Sequence, residues 1–342
     1  EASMKSTLAL CLGAGLLAAG RTVPRKEALE LASSGKGLTT AGAQNLTRVA
    51  KDVAAIPERH LVRGAVSQCQ ARLDAAAPAA RSAVRCDPPT LPPDDVTAVN
   101  EKLSRLILAR AKMLEALGEA YGALAAEAEY DARADLEGAV NGLLAPGKAL
   151  NSAATAVGLP PLPGLDLIVP IAARVAGLGA ESAQKQRLAE ASRSIRGAAT
   201  ATRGALAGEA ELYGRIAGQV EANRVEVVDM MLESGLADPK PATQAFLAEL
   251  ELALGGGVQA TDQRLIVASR ALSRHRAAAI SRARTLGYAK QVDAFDELIA
   301  AHQAFEADEL RPRPDLERTI EELGFWTDVL GKLQSASGDD GK

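Results

Sequence analysis

Apolar residues between Val96 and Leu144 recur in the heptad pattern of a long helix that packs one face against a partner. Only Arg110 and Asp131 interrupt this stripe, and both stand at d positions. The stripe therefore predicts a long helix with a single buried seam. The apolar a and d positions are Leu103, Ile107, Leu114, Leu117, Tyr121, Leu124 and Ala128.

A second stretch from Leu188 to Met231 carries the matching pattern and contains no proline. We expect the two stretches to form an antiparallel helical hairpin, since a compact apolar connection joins them. Glycines at four-residue spacing, such as Gly118 with Gly122, permit the close approach of helices. The a and d positions of the second stretch are Ile195, Ala199, Leu206, Tyr213, Ile216, Val220, Val227 and Met230.

The hairpin makes a prediction about register. A turn centred near residue 160 places Leu103 beside Ile216 and Arg110 beside Glu209. Arg110 and Glu209 are both polar residues at d positions, so each explains the presence of the other. An unpaired charge on such a seam costs several kcal/mol, whereas a hydrogen-bonded pair mainly specifies register.

Prolines divide the chain into units, because helices usually end just before them. The predicted units are a leader-like segment over residues 1–20, N-terminal helices over 22–87, the long hairpin over 94–236 with an apolar, proline-rich tip at 154–179, C-terminal helices over 241–333, and a disordered tail over 334–342. Together they predict an all-α fold, an elongated helical bundle built on the hairpin.

Composition supports this fold class. The chain is 47% hydrophobic but only 3% aromatic, and alanine, the best helix former, supplies much of the apolar excess. Runs of β-branched residues with a period of two are absent from the sequence. The formal net charge of -4 argues against a generally basic nucleic-acid-binding protein.

The tip is the candidate interaction site, because a surface loop of this kind should be polar. Three environments are open for it: burial under another helix, contact with a second subunit or a partner protein, and contact with a membrane. Only Asp166 and Arg174 carry charge between Leu159 and Leu178. The apolar residues of the tip include Leu159, Leu162, Leu165, Leu167, Ile168 and Val169.

Residues Met4 to Gly20 have a lysine followed by an apolar run and then small residues, which is the layout of a secretory signal peptide. The run from Leu17 to Gly20 resembles the lipobox of bacterial lipoproteins, although Arg21 stands where that motif has the lipidated cysteine. The resemblance implies an exported bacterial protein in the periplasm or associated with the outer membrane. The alternatives are ordinary signal-peptidase cleavage and an apolar helix that stays on the bundle.

Cysteine usage agrees with export. Removal of the leader takes Cys11 with it and leaves Cys69 and Cys86 as a pair. An even pair is typical of an oxidising compartment, so we expect a disulfide between them, with two buried free thiols as the alternative.

No motif points to catalysis, a cofactor or a metal. The segment from Gly142 to Ala149 has Walker A spacing, but Ala149 replaces the required Ser or Thr and no strand precedes it. His60, His275 and His302 lie far apart in the sequence, and we expect each at the surface or at its boundary.

One stretch is strongly basic, and we consider it a candidate patch for a phosphate-rich partner, anionic lipid or an acidic protein. No aromatic residues interleave with these charges, as they do in nucleic-acid binders. The alternative is a solvent face paired with the acidic C-terminal helix. The patch consists of Arg270, Arg274, Arg276, Arg282 and Arg284.

These features favour a non-enzymatic interaction or scaffold protein of the cell envelope, which binds a protein partner or itself and no nucleic acid. The layout over Val96 to Gly235 loosely resembles that of helical pore-forming toxins, in which an apolar element lies between two long helices. That resemblance implies membrane insertion through the tip or the N-terminus. An enzyme without a recognisable motif is the third alternative.

Overall fold

The computed structural model describes residues 25–86, 94–159 and 180–307, together with Arg318 and Phe325. Over these residues the chain is helical and has no strand, which confirms the predicted all-α bundle. The leader-like segment, most of the tip and the C-terminal tail lie outside the described residues.

The helices follow one another closely along the chain. They are α1 (Arg25–Ala54), α2 (Ile56–Ala75), α3 (Asp94–Tyr130), α4 (Arg133–Gly142), α5 (Leu144–Ala156), α6 (Ala180–Gly208), α7 (Ala210–Glu233), α8 (Lys240–Glu249) and α9 (Gln263–Glu306), with a short 3-10 helix (Pro78–Ala83) after α2. Asp262 caps α9 by accepting a hydrogen bond from the backbone amide of Arg264.

Four rods form the bundle: α1, α3, the α6–α7 pair and α9. Neighbouring rods are antiparallel. The Ser104 hydroxyl of α3 donates to the Ala50 carbonyl near the end of α1, while Tyr121, further along α3, lies against Gly35 near its middle. The chain thus runs up, down, up and down, the topology of a four-helix bundle.

The predicted seam is buried. On α3, the buried seam residues are Ile107, Leu114, Leu117, Tyr121, Leu124 and Ala128, and the facing positions Ile195, Ala199, Leu206, Tyr213, Ile216 and Val220 are buried on the return rod. Leu103 is partly buried against the same core. Both stretches therefore turn their heptad faces inward.

The two long helices are less continuous than we predicted. The first ends at Tyr130, because Asp131 adopts a left-handed conformation with φ of 55°, one that Asp tolerates better than most residues. α4 and α5 then pack against α3, and Pro146 lies in the first turn of α5, where its missing amide costs nothing. The return rod is also divided, at Glu209 after Gly208.

The role of α1 is larger than predicted. We expected the return helix to be the main partner of α3, but α3 packs most extensively against α1. Gly35 and Gly42 on α1 make this approach possible, since an added methyl group at either would overlap a side chain of a neighbouring rod. Gly118 of α3 meets the Thr39 hydroxyl across the same interface.

The close approach at Gly35 predicts a matched pair of stability changes. In Gly35→Ala, the new methyl group overlaps the Tyr121 ring, and overpacking should cost about 1–3 kcal/mol. In Gly37→Ala, two residues along the same helix, the methyl group meets no atom of the described residues within 4 Å and should stabilise the helix by about 0.5–1 kcal/mol. Urea unfolding of both variants measures the difference. Equal stability of the two would contradict the packing of Tyr121 on Gly35.

Candidate functional site

The described chain concentrates chemistry-bearing side chains around His302 of α9, which is fully buried. The Tyr121 hydroxyl lies 2.8 Å from Nε2, and the Ser192 hydroxyl lies 2.8 Å from Nδ1. Ser192 Oγ also lies 3.1 Å from Glu306 Oε1, and Arg196 donates two hydrogen bonds to the same carboxylate. This His302 cluster joins α3, α6 and α9.

The hydrogen bonds determine the tautomer of His302. Glu306 only accepts when ionised, so the Ser192 hydroxyl donates to it and must accept from His302 Nδ1–H. Nε2 is then an acceptor for the Tyr121 hydroxyl. In this arrangement, both nitrogens of the neutral imidazole have a partner.

Burial controls the electrostatics of the cluster. Removal from water, assisted by the positive charge of Arg196, lowers the pKa of His302 to about 3. Burial likewise raises the pKa of Tyr121 above its ordinary value. At neutral pH, the cluster is therefore a set of neutral hydrogen-bonding groups with one ion pair, Arg196–Glu306, at its edge.

The geometry differs from that of a nucleophilic triad. In a triad, one imidazole nitrogen faces the serine and the other donates to a carboxylate. Here the second nitrogen faces Tyr121, and the Glu306 carboxylate binds Ser192 directly. Tyr121, Ser192 and His302 are all fully buried, so the cluster is suited to linking helices.

Our expectation that all three histidines lie at or near the surface is wrong for His302. His275 is exposed, and His60 is partly exposed with its Nε2 3.3 Å from the Asn223 amide. His302 differs because Tyr121 and Ser192 satisfy both ring nitrogens, which removes most of the cost of burying them.

The structure places the two polar seam residues in contact. Arg110 Nη1 of α3 forms an ion pair with Glu209 Oε2 at the α6–α7 break, and both residues are buried. Tyr288 of α9 closes the same layer by donating to the Leu206 carbonyl at 3.0 Å, and its ring stacks on Tyr213 with centroids 4.0 Å apart. This contact between Arg110 and Glu209 is the one that the hairpin arithmetic predicts.

Further buried ion pairs lie at other levels of the bundle. Near the end of α3, Arg187 of α6 binds Glu127 at 2.7 Å and also pairs with Asp131, the second polar residue of the seam. At a third level, Arg284 of α9 joins two carboxylates on different rods. These are Asp52 of α1 and Glu221 of α7.

The predicted basic patch is not one surface. Arg270 and Arg274 pair with Asp229 of α7, and Arg270 also reaches Glu233. Arg284 is buried, Arg276 is half-buried in a cleft, and Arg282 is exposed. The acidic C-terminal helix proposed as their partner lies outside the described residues, whereas α1 and α7 supply carboxylates to three of the five arginines.

Of the six apolar residues named for the predicted tip, only Leu159 is described, and it packs half-buried against the core. Leu162, Leu165, Leu167, Ile168 and Val169 lie outside the described residues.

The sulfur atoms of Cys69 and Cys86 are at disulfide distance, with Cα atoms 5.1 Å apart. This pair connects the last part of α2 to the segment before α3.

Surface depressions formed by described residues include a groove and a cleft. A groove of about 610 Å³ runs between α1 and α3, and a more apolar cleft of about 320 Å³ lies between α7, α8 and α9.

The Walker-like segment forms the junction of α4 and α5 rather than a loop. Among the described residues, no cluster of three or more His, Cys, Asp or Glu side chains is arranged to hold a metal ion. Within the described ranges, no helix combines the length and apolarity needed to cross a membrane.

The chain matches no model of a known protein family, no curated protein and no solved structure. A functional inference therefore rests on the residues and their geometry.

The His302 cluster predicts a pH dependence of stability. The folded state holds the pKa of His302 near 3, against about 6.5 in the unfolded state. Between these two pH values, the imidazole is therefore protonated in the unfolded state and neutral in the folded state. Stability is therefore full above pH 6.5 and falls as the pH drops towards 3, by up to about 1.4 kcal/mol per pH unit from this group. Tyr121, Ser192, Arg196 and Glu306 are the polar groups that face it.

Urea unfolding between pH 7.5 and 4.5 measures this slope. His302→Gln should remove the contribution of His302 to this slope, whereas the exposed control His275→Gln should retain that contribution. An identical pH dependence for wild type and His302→Gln would contradict the burial of a neutral imidazole.

Proposed function

We propose that this protein is a non-enzymatic interaction or scaffold protein of the cell envelope. Its rigid bundle presents the apolar tip to a protein partner or to a second copy of the chain. The observation that carries the proposal is that both flanks of the tip are anchored in the bundle.

The first flank is held by apolar packing. Leu150 and Ala154 of α5 are buried in the core, and Val157 and Leu159 pack against it. On the second flank, the Gln184 amide donates to the Glu127 carbonyl at 2.6 Å, one turn before the Arg187–Glu127 ion pair. Between Leu159 and Leu178, the chain has only two charged residues and many apolar ones, and a large apolar surface is rarely left in water.

The interior of the bundle supports a scaffold rather than a catalyst. Ser192, His302 and Glu306, the residues with the most catalytic character, bond to one another and to Tyr121 and Arg196. Their hydrogen-bonding capacity is thus used to hold helices together.

The cysteine pair supports the location outside the cytoplasm. Cys86 is exposed and Cys69 is half-exposed, so a bond between them persists best in an oxidising compartment. The leader-like N-terminal segment of the sequence agrees with this location.

Replacement of Leu165, Leu167 and Ile168 by serine tests the proposal. We expect the variant to keep the thermal stability of the wild type and to lose its self-association, or its partner, in sedimentation experiments with and without envelope extract. The matched control replaces the exposed residues Leu250, Leu252 and Val267 by serine and should keep the assembly.

Three results would overturn the proposal. A large loss of thermal stability in the tip variant would mean that the tip is core. An unchanged assembly would mean that the tip is no interface. Release of dye from liposomes by the wild type, lost in the tip variant, would favour the membrane-inserting alternative.

A further inference from the structure

The groove between α1 and α3 has two walls of opposite charge. Lys36, Arg48 and Lys51 of α1 line one side, and Glu115 and Glu119 of α3 line the other. All five side chains are exposed. The basic wall on α1 therefore offers complementary charge to the acidic flank of a helix, provided that this flank faces α1 and not the acidic wall on α3.

The bottom of the groove is formed by small residues. Gly118 and Gly122 of α3 face Thr40, Ala43 and Thr47 of α1 across it. Among the described residues, a methyl group added at Gly122 would meet only the end of the Lys36 side chain, 3.9 Å away. Small residues at this spacing let the backbone of a further helix approach closely, as they do between α1 and α3 themselves.

We propose that residues 315–333 of this chain occupy the groove as an additional helix of the bundle. In sequence, this segment follows two prolines and carries an apolar stripe at helical spacing, formed by Leu316, Ile320, Leu323 and Leu330. Glu317, Glu321 and Asp328 lie along one flank of the stripe and are the counterpart of the basic wall. The site is separate from the apolar tip, so this proposal does not depend on the proposed function.

The end of α9 is close enough for the segment to reach the groove. His302 contacts Tyr121, and Tyr121 lies against Gly35, so the last turns of α9 are level with Lys36 at one end of the groove. Residues 308–314 separate α9 from the segment, and seven extended residues span up to about 23 Å. This exceeds the diameter of about 10 Å of one helix that the chain has to pass.

The lengths also agree. At 1.5 Å per residue, the distance along α1 from Lys36 to Lys51 is about 23 Å, and the stripe from Leu316 to Leu330 is about 21 Å. One helix of the segment thus covers the full groove.

Two residues of the segment are described, and both are exposed. Arg318 and Phe325 are seven residues apart, so they share one face of a helix. That face lies opposite the stripe formed by Leu316, Ile320 and Leu323. Their exposure is what docking through the stripe requires.

Trp326, the single tryptophan of the chain, lies beside the stripe and reports on the contact in the full-length protein. The first test replaces Lys36, Arg48 and Lys51 by glutamate, and a second variant, Gly122→Leu, fills the groove. Both should raise acrylamide quenching of Trp326 about threefold and shift its emission to the red, since the indole moves from apolar contact into water.

The matched control replaces Lys112, Lys148 and Arg215 by glutamate, which gives the same change of charge at exposed positions outside the groove. This control should leave the acrylamide quenching and the emission wavelength of Trp326 as in the wild type. Circular dichroism checks that all variants remain folded. Leu272→Glu, in the cleft between α7, α8 and α9, tests a second depression as the docking site and should have no effect on the fluorescence of Trp326.

Carbodiimide crosslinking gives an independent readout, because it joins a lysine amine to a carboxylate only in direct contact. We expect bonds between Lys36 or Lys51 and Glu317, Glu321 or Asp328 within one chain, shown by mass spectrometry of a mixture of labelled and unlabelled protein. Unchanged quenching in the groove variants would overturn the proposal. Exposure of Trp326 by Leu272→Glu, or crosslinks between two copies, would also overturn it.

Discussion

The ion pair between Arg110 and Glu209 is the constraint on which the arrangement of the rods depends. Both side chains are buried in a predominantly apolar seam, where a single unpaired charge would cost several kcal/mol. Repetitive apolar seams of this kind pack almost equally well when one helix slides by a heptad. The pair removes that freedom, because any slide separates the charges.

The other buried pairs extend this control to all four rods. Arg187–Glu127 joins α6 to α3, and Arg284 joins α9 to Asp52 of α1 and Glu221 of α7. The His302 cluster adds a neutral crosslink between α3, α6 and α9. With only 3% aromatic residues, the chain obtains much of its specificity from these polar layers and from glycine contacts such as Gly35 with Tyr121. A bundle fixed in this way is a suitable frame for presenting an apolar tip.

Much of the architecture could be predicted from periodicity, since a heptad stripe is a local property of the chain. The Arg110–Glu209 contact followed from simple register arithmetic. Nearer the tip the same arithmetic fails, since it pairs Glu127 with Ser192, whereas Glu127 contacts Gln184 and Arg187. The break at Asp131 could not be predicted, because the apolar pattern continues past it without glycine or proline. His302 was misjudged because its partners, Tyr121 and Ser192, are 181 and 110 residues away in the sequence. The arginines of α9 looked like a surface patch for the same reason, since their carboxylates lie on α1 and α7.

The central claim is that the buried pair specifies register, and a double-mutant cycle with Arg110→Met and Glu209→Leu tests it most directly. Each single variant leaves a buried charge without its partner and should lose about 3–5 kcal/mol in urea unfolding. The double variant should recover much of that loss, with a coupling free energy above about 1 kcal/mol. Purely additive losses would show that Arg110 and Glu209 act independently and would contradict the account.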